Sequence, residues 1–136
     1  MTLKHISAIS LFVEDLPASR AFYCAVFGVP VVYEDDNCAV VQFEHLLVNL
    51  LKVANAADIV APGAVAPRDA GSRFQLSIWV ADVDAVCAHL RQRGVAFHGP
   101  LDRPWGLRTI NFVDPAGHSW EVGQQLNGTA TAEPVS

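Results

Sequence analysis

The sequence predicts an α+β fold of two tandem modules, each a strand, a helix and then three strands (βαβββ). Three observations predict it: an internal repeat, strands with two unlike faces, and helices with readable ends. The segment Ile9-Ser10-Leu11-Phe12-Val13-Glu14-Asp15-Leu16 reappears 67 positions further on as Leu76-Ser77-Ile78-Trp79-Val80-Ala81-Asp82-Val83. Every place matches in character except Glu14 against Ala81. Ala18 then answers Ala85, and Gly28 answers Gly94 after a slip of one residue. Similarity at a fixed offset marks a repeated supersecondary unit.

Side chains alternate across a strand, so each strand has two faces. In the first repeat Ile9, Leu11 and Val13 share one face, and Ala8, Ser10 and Phe12 the other. In the second, Leu76, Ile78 and Val80 oppose Gln75, Ser77 and Trp79. The aliphatic faces should lie beneath the helix of the same repeat. The opposite faces mix small, polar and aromatic groups, the composition of a ligand cleft.

Asp15 and Asp82 stand where an N-cap carboxylate accepts the first free backbone N–H groups, and Pro17 falls in the first turn. Phe22, Val26 and Tyr23 form the expected apolar stripe of the first helix; Val83, Val86, Cys87 and Leu90 form that of the second. Gly28 and Gly94 suit left-handed C-caps. The remaining strands are expected at 29–33, 38–43 and 46–53, then at 95–99, 108–113 and 119–123. One domain over 1–126 is expected, with repeat one at 5–53, an Ala-, Pro- and Gly-rich linker at 54–72, and repeat two at 73–125. Residues 127–136 read as a loose, small and polar tail, and the sequon at Asn127 as accidental.

Composition narrows the function classes. With 136 residues, just over half of them hydrophobic and 17% charged, the chain is globular. A net charge of −5 and nine Lys and Arg without a basic run argue against nucleic acid. No apolar stretch approaches the ~18–20 residues that span a bilayer, so no membrane partner is expected. Met1 to His5 runs straight into strand pattern, unlike a signal peptide, and a cytoplasmic location is expected. Cys24, Cys38 and Cys87 form no Cys-x-x-Cys pair and read as reduced core thiols.

Val13-Glu14-Asp15-Leu16, Ala21-Phe22-Tyr23 and Phe27-Gly28 resemble the opening signature of the vicinal-oxygen-chelate superfamily, the glyoxalase/bleomycin resistance protein/dioxygenase family. Trp105-Gly106-Leu107-Arg108 and Phe112 to His118, ending in Trp120-Glu121, resemble its closing signature. The resemblance implies tandem βαβββ modules forming a curved mixed sheet around one cleft, and a homodimer. It also implies metal positions on the first and last strands of each repeat, which here hold Ala8, approximately Asn49, Gln75 and Glu121. Ala8 has no donor atom, and His5, three residues earlier, falls on the opposite face. Transition-metal sites favour imidazole and about three protein ligands, so no metal cofactor is favoured. If a divalent metal binds, Gln75 and Glu121 are the ligands. Otherwise these two hydrogen-bond a ligand, each other or water.

The expected function is therefore small-molecule binding of the bleomycin-resistance type, with an amphipathic or aromatic ligand and no tight metal. Phe12, Trp79 and Trp105 would pack on it; Asn49, Gln75, Ser77 and Glu121 would orient it, and a basic ligand would suit Glu121. Arg108 either binds ligand or anchors the last strand. The alternative is a metal-dependent lyase or dioxygenase-like enzyme with Glu121 as its catalytic proton shuttle. His98 is a weaker acid–base candidate. His45 and His118 read as turn residues, His89 as exposed on its helix, and Glu34-Asp35-Asp36 as a solvated turn.

Overall fold

Two compact units make up the chain, Met1–Gly71 and a second beginning at Ser72. The structure, a computed structural model, describes residues 1–126; the expected tail at 127–136 and the Asn127 sequon lie outside the described residues.

The first unit runs β1 (Ala8–Val13), α1 (Leu16–Phe27), β2 (Val31–Glu34), β3 (Cys38–Gln42) and β4 (Leu47–Lys52). Its sheet has the order β1-β4-β3-β2, with β1 parallel to β4 and the other pairs antiparallel. The second unit repeats this plan with β5 (Leu76–Trp79), α3 (Val83–Gln92), β6 (His98–Asp102), β7 (Leu107–Val113) and β8 (Ser119–Gln125). Its order is β5-β8-β7-β6, again with one parallel pair, β5 and β8. The βαβββ repeat is thus present twice, each copy with a four-stranded mixed sheet. The segment at 54–71 belongs to the first unit, with Ser72 beginning the second, and carries the end of a 3-10 turn (Val53–Asn55) and one turn of helix, α2 (Ala57–Val60).

Alternation sorts the sheet residues as the sequence implied. On the helix side of the first sheet Leu11, Val13, Ala39, Val41, Val48 and Leu50 are buried. On that of the second, Ile110, Phe112, Trp120 and Val122 are buried against α3. Each fully buried Leu or Val contributes about 1.5–3 kcal/mol.

Both helices begin as expected. Asp15 accepts from the Ala18 N–H and Asp82 from the Ala85 N–H, each at 3.1 Å. Gly28 closes α1 in the left-handed region at φ 68°, and Gly94 follows α3 at φ 70°. The buried line of α1 differs from expectation: Leu16, Ser19 and Tyr23 face the sheet, while Phe22 and Val26 are only half-buried. At about 100° per residue Leu16, Ser19 and Tyr23 cluster on one side of the helix, which leaves Val26 at the edge of that stripe and Phe22 about a quarter-turn away. In α3, Val83, Cys87 and Leu90 are buried as expected, but His89 is half-buried rather than exposed.

The largest boundary correction concerns β6, which occupies His98–Asp102 instead of 95–99. Its pairing with β7 shifts register between His98 and Leu101. Gly99 lies in that shift at φ 107°, so close to β7 that an added Cβ would stand 2.7 Å from the Thr109 carbonyl oxygen. A bulge with a backbone contact this tight is not announced by alternation.

Two outcomes follow. Gly99→Ala should destabilise the protein by about 1–3 kcal/mol through strain and overlap, read from urea unfolding. Asp82→Ala should cost about 1 kcal/mol by uncapping α3, read the same way.

Candidate functional site

The face of the second sheet away from α3 gathers most of the residues that the sequence singled out. Parallel pairing sets Ser77 beside Glu121 and Trp79 beside Gly123. Antiparallel pairing then sets Asn111 beside Glu121, and His98 beside Asn111. Partners in register share a face, so Ser77, Glu121, Asn111 and His98 make one polar row across four strands. Ser77 Oγ donates to Glu121 Oε1 at 2.8 Å. One row away, Gln75 Nε2 donates to Ser119 Oγ at 3.1 Å.

Neighbouring polar atoms are left without protein partners. Glu121 is half-buried, and Ser77 is its sole hydrogen-bond partner among the described residues. Asn111 Oδ1 is buried and accepts no hydrogen bond among the described residues. A buried acceptor left in that state costs about 1–3 kcal/mol and calls for an explanation. Asn111 was not singled out from the sequence, although alternation along β7 places Thr109, Asn111 and Val113 on the face of Glu121.

Trp79 is half-buried and lies across Gly123, where an added Cβ would overlap the six-membered ring of the indole. Thr109, in register with Gly123, is fully buried and its hydroxyl accepts from Arg103 Nε at 2.9 Å. Trp105 stands at 57% exposure in the turn between β6 and β7, with the Arg103 guanidinium 5.9 Å from its ring. It is exposed rather than folded over the polar row.

Arg108 is turned to the other side. It pairs with Gln124 on β8, whose side chain accepts from the Val83 N–H at the start of α3. Its guanidinium grips Asp102 through Nε at 2.7 Å and Nη2 at 3.2 Å, and reaches Asp84 at 3.3 Å. This geometry makes Arg108 an anchor, though one tied to Asp102 on β6 and Asp84 on α3 and not to the last strand. The hydrogen bond from Arg108 holds the Asp102 carboxyl below its ordinary range.

Phe12 and Asn49 occupy the helix-free face of the first sheet. Asn49 Nδ2 donates to Ser10 Oγ at 3.4 Å, the counterpart of the Ser77–Glu121 pair, and Asn49 Oδ1 is buried without a partner among the described residues. Ala8 pairs with Leu47, and neither of these two side chains carries a donor atom.

The other titratable groups have structural settings. Asp114, fully buried, accepts from the Ala116 and His118 N–H groups and lies 2.9 Å from the His118 ring nitrogen, fixing the turn before β8. Glu34 is gripped by Arg20 through Nε at 2.8 Å and Nη2 at 3.0 Å. Asp35 accepts from Tyr33 Oη and from two backbone N–H groups of its turn. A shallow hollow of about 280 Å³ opens there in the first unit, lined by Arg20, Glu34, Asp35, Asp36 and Lys52 among others. It lies on the α1 side of the sheet, and the Arg20–Glu34 pair neutralises part of its charge. The cysteines are free; burial pushes the Cys38 and Cys87 thiols up, away from nucleophilic character.

Among the described residues, no three of His, Cys, Asp and Glu are grouped to hold a metal. Nor is any described helix long and apolar enough to cross a membrane.

Comparison with known proteins agrees with this architecture. The model of the Glyoxalase/Bleomycin resistance protein/Dioxygenase superfamily matches residues 2–122, and the chain belongs to that superfamily. A solved glyoxalase/bleomycin resistance protein/dioxygenase from Nocardioides is 25% identical, with a TM-score of 0.83 over 94% of this chain and 87% of that one. An antibiotic binding protein from a Streptomyces species is 26% identical, with a TM-score of 0.68 over 92% and 98%. A lactoylglutathione lyase from Agrobacterium tumefaciens, at 21% identity, shares the fold with a TM-score of 0.74 over 98% and 100%. No curated protein matches the chain significantly in sequence.

The Asp102–Arg108 pair yields a pH prediction. A carboxylate whose folded pKa is depressed stabilises the protein above its unfolded value and loses that contribution as pH falls through the folded one. Wild type should therefore exceed Asp102→Asn in thermal midpoint at neutral pH. The gap should close as pH drops below 3.8, the ordinary value for this group.

Proposed function

We propose that this chain is a small-molecule binding protein that takes an amphipathic, partly aromatic ligand without a tightly bound metal. The observation that carries the reading is the helix-free face of the second sheet, where the Trp79 ring lies beside a carboxylate that, among the described residues, is partnered only by Ser77. Apolar surface with a few convergent polar groups is the usual composition of such a site. Trp79 would pack on the ligand, Ser77 and Glu121 would orient it, and Gln75 would reach it from the next row. The antibiotic-binding relative supports ligand binding as the activity. The exposed Trp105 is a further proposed contact in the second unit, Phe12 and Asn49 are proposed ligand contacts on the corresponding face of the first, and Arg108 is proposed as an anchor.

Donor chemistry supports the absence of a tight metal. Ala8 supplies no donor, Asn49 and Gln75 are neutral amides, and Glu121 is the one charged ligand among these positions. That set fits a divalent transition metal poorly. The alternative, a metal-dependent lyase or dioxygenase-like enzyme, would hold its metal through Gln75 and Glu121. A reducing, cytoplasmic setting and a homodimer complete the proposal; the free thiols support the first and family resemblance the second.

Thermal-shift screening against aromatic antibiotics and small metabolites, with chelator present, tests this directly. A ligand at about a hundred times its Kd should add about 2.7 kcal/mol of stability. Glu121→Gln should abolish most of that gain. Stabilisation that appears only with added divalent metal, or one stoichiometric transition metal per purified chain, would overturn the metal-free reading.

A further inference from the structure

We propose that the helix-free face of the second unit selects ligands carrying a planar ring and, one row away, an N–H donor group such as a protonated amine. Gly123 and Asn111 impose the two halves of this selection. The inference rests on the small-molecule reading above and names the class of ligand that its site takes.

The ring half comes from Gly123. Its backbone is outside the left-handed region, unlike that of Gly28, Gly94, Gly99, Gly106 and Gly117. An alanine there would suffer no backbone strain. What forbids a side chain is Trp79, whose ring occupies the space a Cβ would fill. Glycine at 123 therefore serves the indole: it lets the ring lie down across β8 as a flat platform. Any larger residue would lift it away. Aromatic pairs gain about 0.5–1.5 kcal/mol beyond their buried area, so a flat partner ring is the natural occupant.

The donor half comes from a surplus of acceptors. Glu121 and Asn111 are a cross-strand pair with side chains about 5 Å apart at Cβ. Ser77 commits its single proton to Glu121 Oε1, which leaves the second carboxylate oxygen free among the described residues. Asn111 Oδ1 is buried and has no donor among them. His98, next in the row, is exposed and forms no hydrogen bond among the described residues. A ligand that brings N–H groups meets the second Glu121 oxygen directly and Asn111 Oδ1 once that side chain turns outward, whereas a carboxylate would meet the Glu121 charge. Glu121 and Gly123 are two residues apart on β8, so ring and donor are spaced by roughly 7 Å.

Tryptamine and indolepropionate share a ring and a two-carbon linker but end in ammonium and carboxylate, and they serve as probes in amide NMR titrations of the full chain. Tryptamine should bind about tenfold more tightly and shift the amides of Ser77, Asn111, Glu121 and Gly123. Asn111→Leu should lower tryptamine affinity about tenfold and leave indolepropionate unchanged. Gly123→Ala should destabilise the wild type but not a Trp79→Leu background, a cycle that needs no ligand. Equal binding of the two probes on this face would overturn the donor half while leaving the small-molecule reading intact. An equal cost of Gly123→Ala in both backgrounds would overturn the ring half. Shifts confined to other surfaces would count against the inference and the reading beneath it together.

Discussion

Parallel pairing between the first and last strands of a unit is the constraint on which the rest of this structure depends. In the second unit it sets Ser77 against Glu121 and Trp79 against Gly123, residues more than forty positions apart in the chain. A parallel pair needs a crossover connection, supplied here by α3 and the two strands that follow. A slip of one residue in this register would turn Glu121 toward the aliphatic side and Val122 toward the polar row. The polar face is therefore a consequence of burying the other one: Ile110, Phe112, Trp120 and Val122 lock the register that presents Ser77 and Glu121.

The two faces of each sheet play different energetic roles. On the helix side apolar residues pack and charges pair, as Arg108 with Asp102 and Asp84 illustrates, and Ser19 Oγ is the buried polar atom left unpartnered there among the described residues. The helix-free side retains unsatisfied acceptors, Asn49 Oδ1 in one unit and Asn111 Oδ1 in the other. Each is worth a kilocalorie or more of forgone stability, on the order expected for an unmet buried acceptor. Local departures of this kind concentrate at sites shaped for something other than folding. That both units leave an Asn oxygen unmet on the helix-free side fits their duplicated sequence, although only the second carries a carboxylate in the row.

Much of the fold was legible in the chain. The 67-residue offset, the Asp15 and Asp82 caps and the Gly28 and Gly94 ends are local signals that survive in the structure, because caps and alternation depend on a few neighbouring residues. The β6 boundary and the α1 stripe were read less well. Gly99 is shaped by a carbonyl on β7, and the stripe of α1 by which side of the helix meets the sheet, so both are set by partners distant in sequence.

The candidate site divides along the same line. Alternation alone determined that Ser77 and Trp79 share a face, and the repeat marked that face as special. Only tertiary pairing decided that Glu121 accepts from Ser77, that Asn111 stands beside it with an unmet oxygen, that Trp79 rests on Gly123, and that Arg108 points to the helix side instead. Alternation along β7 could have placed Asn111 on a face, yet not next to Glu121. The physical reason is range: periodicity tells which side of its own strand a residue occupies, while register between strands is chosen by how the whole buried face packs.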